Sequence, residues 1–566
     1  MTAPPPPKPA QHPPTEESAA LASLLSDFLA VPELKAAAAL PAGQGSARVT
    51  LTCAQRAPGS NAQKRFAQTL WLDEAALELG ALNASPPQEL PSSLLFSAAA
   101  PSGNRVLVAR SAEGKGNKPS GAVLELWRGA RMELELQIPA SLHGPILNDG
   151  WFASGAAWSS DETRVAYVAE VPPSTETPEW GLLPNSTASE AGPLGWRGVG
   201  PATEDWGERY SGRRAPSIFL LDARTGAVAR VPGLPSDCSV GQPVWTPDDR
   251  GLVCTAWPHR SPTFAGLDSR LGMAACPTRA SALWCAPVPE KLARGKGSDD
   301  EASEAWSDAD AAERKHPSSQ RLLKPYSSEH APPAVRLTLE NGSAFSPRFS
   351  PDGETLVFLG APTGASSGVH AATNALSALR WPCEPGSAPR VVVDVLQGDE
   401  APQRIEESSM QPRHPPGFPG LYCTQLPPSP FLDARTLVLS SCWRSSSAVL
   451  SVELDSGVVR RLSPPQPSAS WVVAAACGGW ILASASSLAQ PWELYARRHL
   501  PAAPPGTGAQ WSKLPLFDET RFPRRLAEIL PRLRSDCLAL ETDGLPHEAL
   551  VLRLEAPGDA ELAAAR

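Results

Sequence analysis

A tight-turn sequence that hands over at once to a run of apolar residues recurs along this chain, and the recurrence limits the available folds. Asp161-Glu162 precedes Arg164-Val165-Ala166-Tyr167-Val168, Pro247-Asp248-Asp249 precedes Gly251-Leu252-Val253-Cys254, and Ser350-Pro351-Asp352-Gly353 precedes Leu356-Val357-Phe358-Leu359. Looser copies are Pro101-Ser102-Gly103 before Val106-Leu107-Val108, and Leu432-Asp433 before Leu437-Val438-Leu439. Proline presets φ, aspartate bonds to backbone amides and glycine accepts a positive φ, so each copy reads as strand end, turn and next strand. A second phrase ends the hairpins: Ile218-Phe219-Leu220-Leu221-Asp222 with Thr225-Gly226 before Val228, and Val452-Glu453-Leu454-Asp455-Ser456-Gly457 before Val458-Val459. Copies of the first phrase recur roughly every 60 to 100 residues, which fits a four-stranded unit with variable loops, and radial repetition of such units makes a propeller. The predicted fold is all-β: a β-propeller of seven four-stranded blades with a short N-terminal helix. A pair of β-sandwiches is the alternative, and it accounts less well for so many equivalent turns.

Composition narrows the function classes. The 566 residues include 63 prolines, which long helices tolerate badly because the ring removes a backbone donor and clashes one turn back. A formal net charge of −9 leaves no basic field for a polyanion, so nucleic acid is not an expected partner. The ten cysteines are scattered with no C-x-x-C pair, and the nine histidines show neither H-x-x-H nor H-E-x-x-H. No metal or cofactor is expected, and the thiols suit a reducing compartment.

Residues 1–15 form a Pro-rich tail, predicted disordered, with neither the apolar core of a secretory signal nor the arginines of an organellar presequence; cytoplasm is the default. The most apolar stretch, Trp471 to Ala485, is split by Gly478-Gly479 and is shorter than the ~20 residues a bilayer requires. It reads as two strands and a turn, so no membrane partner is expected. Apolar spacing predicts amphipathic helices over Glu16 to Leu29 and Arg524 to Arg534. Residues 290–333, with the acidic run Asp299-Asp300-Glu301, read as a mobile charged insertion.

Several segments carry a family resemblance. His143-Gly144-Pro145-Ile146, Asp149-Gly150-Trp151-Phe152 and Trp158-Ser159-Ser160-Asp161-Glu162 resemble the N-terminal propeller of acylaminoacyl-peptidases, also called acylamino-acid-releasing enzymes. So do Glu204-Asp205-Trp206-Gly207-Glu208, Gly241-Gln242-Pro243-Val244-Trp245, Arg279-Ala280-Ser281-Ala282-Leu283 and Gly420-Leu421-Tyr422-Cys423. His547-Glu548-Ala549-Leu550-Val551-Leu552 looks like the strand entering that family's second domain. The resemblance implies a serine peptidase of the prolyl oligopeptidase class, in which a propeller gates a chamber and an α/β-hydrolase domain removes N-acylated residues from short peptides. It also implies that residues 31–500 are the propeller, that 501–566 are a connector and first strand, and that the hydrolase domain, if encoded downstream, lies beyond Arg566.

A nucleophile within the chain itself is the remaining catalytic question. Gly364-Ala365-Ser366-Ser367-Gly368 fits G-x-S-x-G, but it follows the strand Leu356 to Leu359 and precedes the strand-like Leu376 to Trp381, inside a propeller hairpin and without the elbow the chemistry needs. Ser366 is therefore read as a decoy, and no catalytic residue is assigned. His143-Gly144-Pro145 mimics the oxyanion loop H-G-G-P but lacks its second glycine, while His499 and His547 follow apolar strands without an elbow serine to serve. Trp158, Trp245 and Trp471 are read as inter-blade packing. Two functions compete: the gating propeller of an acylaminoacyl-peptidase, inactive alone, and a free-standing propeller that binds peptides or proteins. Short N-acylated peptides are the partners the resemblance implies; homo-oligomerisation is left open.

Overall fold

The computed structural model describes residues 16–43, 45–57, 60, 62–78, 80–112, 121–172, 206–207, 210–259, 280–289, 332–338, 342–361, 373–395, 417–465, 469–499, 510–516, 522–542 and 545–555. The tail 1–15, nearly all of the insertion 290–333 and the whole of 364–368 with Ser366 lie outside these residues. The fold is a seven-bladed β-propeller: seven antiparallel sheets of three to five strands follow one another along the chain, and a separate two-stranded hairpin comes after them. Backbone contacts group the chain into two units, one of residues 93–437 and 452–460, the other of 1–92, 438–451 and 461–566. The boundary runs through the sixth sheet.

The first unit holds the second to fifth blades. The third blade is Ala157–Trp158, Arg164–Glu170, Pro216–Asp222 and Val228–Arg230, and the fourth is Cys238–Trp245, Gly251–Pro258, Ala282–Pro287 and Val335–Arg336. Every residue of Arg164–Glu170 and of Pro216–Asp222 is buried. Covered on both faces, these strands carry continuous apolar runs rather than an alternation. One core cluster joins the second and third blades through Leu107, Leu124, Tyr167, Phe219 and Leu221, and another joins the fourth and fifth through Val253, Leu283, Leu356 and Phe358.

The repeated turn phrase does more than reverse the chain. Ser159, Thr246 and Ser350 stand one residue before each Ser/Pro-Asp pair. Their hydroxyls donate to Asp161, Asp248 and Asp352 and accept the amides of Arg164, Gly251 and Thr355. The residue after the aspartate is left-handed in each copy: Glu162 at φ 56°, Asp249 at 55° and Gly353 at 74°. At 353 glycine is required twice over, because a Cβ there would meet Pro247 Cβ at 2.8 Å.

The turns also latch neighbouring blades together. Glu162 accepts the Ser102 amide at 2.6 Å, and Asp249 accepts from Ser160 N, Ser160 Oγ and Asp161 N at 3.0, 2.6 and 3.1 Å. Arg105 and Arg164 open the second strands of their blades, and each sends its guanidinium to a backbone carbonyl of the next blade's turn, Glu162 O and Asp249 O. Trp158 and Trp245 donate their indole N–H to Ala98 O and Ala157 O on the preceding blade, which bears out their inter-blade reading.

The other unit holds the first and seventh blades, the helices α1 (Glu16–Leu29), α2 (Glu74–Glu78) and α3 (Arg524–Ile529), and the terminal hairpin. Trp480 Nε1 donates to Gly45 O and Trp492 Nε1 to Pro32 O, so the seventh blade is tied to the first. Trp471 to Ala485 forms two strands about Gly478-Gly479, and the seventh blade takes its fourth strand from Ser512–Lys513. The helix expected over Arg524 to Arg534 stops at Ile529, gives one 3-10 turn and becomes the strand Leu533–Thr542. Pro531 explains the stop, since it has no N–H to continue the ladder.

Candidate functional site

His143-Gly144-Pro145 is not an oxyanion loop. Gly144 N donates to Glu170 O and Glu170 N donates to Pro145 O, so these backbone groups are spent on pairing with the strand Arg164–Glu170. The His143 ring is 1% exposed and rests against Phe219 at 4.8 Å between centroids. Its Nδ1 lies 2.7 Å from Gly144 O, a group that only accepts, so the ring proton sits on Nδ1 and Nε2 accepts from the Tyr167 hydroxyl at 2.9 Å. Burial pushes the imidazole pKa down, with the Gly144 hydrogen bond opposing it more weakly.

A serine and a histidine do meet in the fourth blade, at a place the sequence reading missed. Ser239 Oγ lies 3.1 Å from His259 Nε2, accepts from Trp206 Nε1 at 2.9 Å and faces Arg214 O at 3.3 Å. The serine is fully buried and the histidine 8% exposed, so no substrate carbonyl can reach the hydroxyl. The pair ties the Trp206 segment to the sheet rather than forming a nucleophile.

Several of the family-resembling phrases of the sequence converge instead on a buried polar seam across three blades. Gln242 and Ser346 sit at bulges in the first strands of the fourth and fifth blades, both with left-handed φ. Gln242 Nε2 donates to Trp151 O at 2.9 Å, and its Oε1 accepts from Thr255 Oγ1 and Ser346 N at 2.8 and 2.7 Å. Ser346 Oγ accepts Leu426 N, and Gln425 Nε2 adds a second bond to Trp151 O. Asp149 holds this loop in shape by accepting the amides of Trp151 and Phe152. Desolvation pushes the Asp149 pKa up against those amides. Trp151 packs on Trp257 and Phe345, each 6.0 Å away between centroids. With both ends of the Gln242 amide bonded, the seam sets strand geometry; among its described side chains the buried Trp151 Nε1 is a donor left without a partner.

Open surface occurs elsewhere. The third blade bears a cavity of about 400 Å³ lined by Leu142, Phe219 and Arg230 among others. In the other unit, α1 leaves Leu21 and Leu25 about 60% exposed, and the terminal hairpin leaves Leu538, Leu540, Leu550, Leu552 and Leu554 between 42% and 56% exposed. His499 donates its backbone amide to Gly479 O, and His547 pairs with Leu540 in the hairpin. Among the described residues no cluster of His, Cys, Asp and Glu is suited to hold a metal ion, and no helix is long and apolar enough to cross a membrane.

Residues 7–517 match the family model of the acylamino-acid-releasing enzyme N-terminal domain. The chain belongs to the acylamino-acid-releasing enzyme family. An acylamino-acid-releasing enzyme of Arabidopsis thaliana is 32% identical over 86% of this chain and 58% of its own length. Acylamino-acid-releasing enzyme 1 of Oryza sativa subsp. japonica is 35% identical over 70% of this chain and 46% of its own. The chain thus spans about half the length of the curated relatives it matches. A solved structure of acylaminoacyl peptidase from Pyrococcus horikoshii is 11% identical, covering 94% of this chain and 60% of that one with a TM-score of 0.48. The seam around Trp151, Gln242 and Ser346 lies within residues 7–517, the span that matches the family's N-terminal domain.

Proposed function

We propose that this propeller gates substrate for the catalytic portion of an acylamino-acid-releasing enzyme, which as a whole frees N-acylated amino acids from short peptides. The observation that carries this reading, together with family membership, is the two-faced apolar hairpin. Directly opposed residues of an antiparallel pair share a face. Cys537 opposes Leu550, and Ser535 opposes Leu552, so the exposed Leu550, Leu552 and Leu554 share one face while Leu538 and Leu540 occupy the other. Covering five such half-exposed leucines is worth on the order of 5 kcal/mol, a drive towards a partner on both sides. The family's catalytic portion is that partner in this reading; the propeller runs past the expected end at 500 to the fourth strand of its seventh blade, Ser512–Lys513, and the hairpin after it is the connection towards that portion. Ser366 has no catalytic part. A cytoplasmic setting belongs to the same reading, supported by nine described cysteines that are all free thiols.

The test is a fusion of this chain to the catalytic portion of the Arabidopsis thaliana relative, compared with that catalytic portion alone. The fusion should cleave a short acetyl-peptide and discriminate against an acetylated peptide of some 30 residues. Equal rates on both peptides in the presence of the propeller would refute gating.

A further inference from the structure

The cavity on the third blade contains a cation that the seam and the core do not use. Arg230 ends the blade's fourth strand directly opposite Phe219, so the two side chains share a face. Its Nε donates to Ser217 Oγ at 2.9 Å, and Ser217 is 1% exposed, so the plane of the guanidinium is anchored from a buried point. No carboxylate among the described residues pairs with it. Glu170, on the neighbouring strand, opposes Pro216 and therefore falls on the other face of the sheet from Ser217, Phe219 and Arg230. The cavity measures about 400 Å³, and Leu142, Pro172, Phe219, Pro232 and Leu234 line it beside the arginine. Ser141 and Ser236 add hydroxyls to the lining, and that size with apolar walls and a few fixed polar groups suits a small ligand.

We infer that this cavity binds a free α-carboxylate that carries an apolar side chain and no neighbouring ammonium. A single planar guanidinium matches a carboxylate in charge and in its two-pronged geometry, whereas a phosphate dianion would call for a second cation. The proline, leucine and phenylalanine walls accept an aliphatic side chain beside the solvent-facing guanidinium. Glu170, the acid on the neighbouring strand, lies on the opposite face, so among the described residues that strand offers no partner to an ammonium, which favours a blocked amine. Two sources share this chemistry: an N-acyl amino acid, and the C-terminal end of a peptide. The site stands apart from the proposed gating role, because it needs only the residues of the third blade and its flanks.

The test is isothermal titration of the full chain with N-acetyl-L-leucine, N-acetyl-L-leucinamide and acetyl-dialanyl-leucine. The acid should saturate, and the amide should bind at least about tenfold more weakly, the loss expected when one charge-assisted pair is removed. Arg230→Gln should bring the acid down to the level of the amide without moving the unfolding midpoint. Arg230→Lys, which keeps charge but loses the planar fork, should fall between them. Tighter binding of the tripeptide assigns the site to peptide ends, and binding of N-acetyl-L-leucine alone assigns it to acyl amino acids. Absence of saturation, equal affinity for acid and amide, or unchanged binding by Arg230→Gln would overturn the inference.

Discussion

Asp249 combines two separable energetic effects at one position. Its carboxylate takes three hydrogen bonds from the turn of the third blade, and its backbone is left-handed. Asp249→Ala should therefore destabilise the protein by about 2–4 kcal/mol, from stranded donors plus the cost of alanine at positive φ. Asp249→Gly should recover about 1 kcal/mol of that, because glycine removes only the backbone strain. Denaturant midpoints measure both, and equal midpoints for the two variants would mean that the backbone contributes nothing. His143 supplies a pH dependence of known sign. The unfolded imidazole binds its proton near pH 6.5, while burial holds the folded one to a lower pKa. Below pH 6.5 the unfolded state binds more protons, so stability falls as pH drops through that value. His143→Phe should remove this component, and the difference in unfolding free energy between parent and variant should shrink from pH 7 to pH 5. At this scale the turn aspartates were legible in the sequence. The hydroxyls of Ser159, Thr246 and Ser350 were overlooked, although they stand at a fixed offset before each aspartate. The latch made by Asp249 was not legible at all, because its partners Ser160 and Asp161 lie on a different blade.

Among the elements, strands were easier to read than the chain's ends. Runs such as Tyr167-Val168 and Leu220-Leu221 betrayed strands covered on both faces, and Gly478-Gly479 marked a hairpin. The strand Leu533–Thr542 was hidden because the apolar spacing of Leu526, Ile529, Leu530 and Leu533 fits a helix until Pro531 is weighed. Its pairing with Leu545–Leu554 turns two unremarkable runs into a hairpin with exposed leucines on both faces. Those leucines and the stripe of α1 predict behaviour in solution. The chain should self-associate at micromolar concentration, with sedimentation velocity showing species above the monomer. Leu21→Glu with Leu25→Glu should weaken association, and adding Leu538→Lys with Leu540→Lys should leave a monomer, since each half-exposed leucine contributes roughly 1 kcal/mol when covered. A parent chain that sediments as a clean monomer would contradict the exposed-surface reading.

For the whole molecule, the periodic turn phrase pointed to a propeller, because its spacing of roughly 60 to 100 residues fits a four-stranded blade per repeat. Its candidate sites were less visible: the Arg230 cavity depends on cross-strand register and on connections from two blades, neither of which a linear pattern displays. The same register shows why the resembling loop at His143 is spent on strand pairing. Catalysis of acyl-peptide hydrolysis needs an activated nucleophile and preorganised oxyanion donors together, and loss of one such donor alone costs ~10²–10³ in rate. The buried Ser239 and His259 cannot meet a substrate, and Ser366, read from the sequence as a decoy, lies outside the described residues. The most direct measurement is release of chromophore from an acetyl-alanyl substrate by the purified 566-residue chain, run beside a serine-directed fluorophosphonate label and the Ser366→Ala variant. The expected result is no turnover above background and no labelling. Turnover that disappears in Ser366→Ala would contradict a purely gating propeller and make Ser366 the nucleophile.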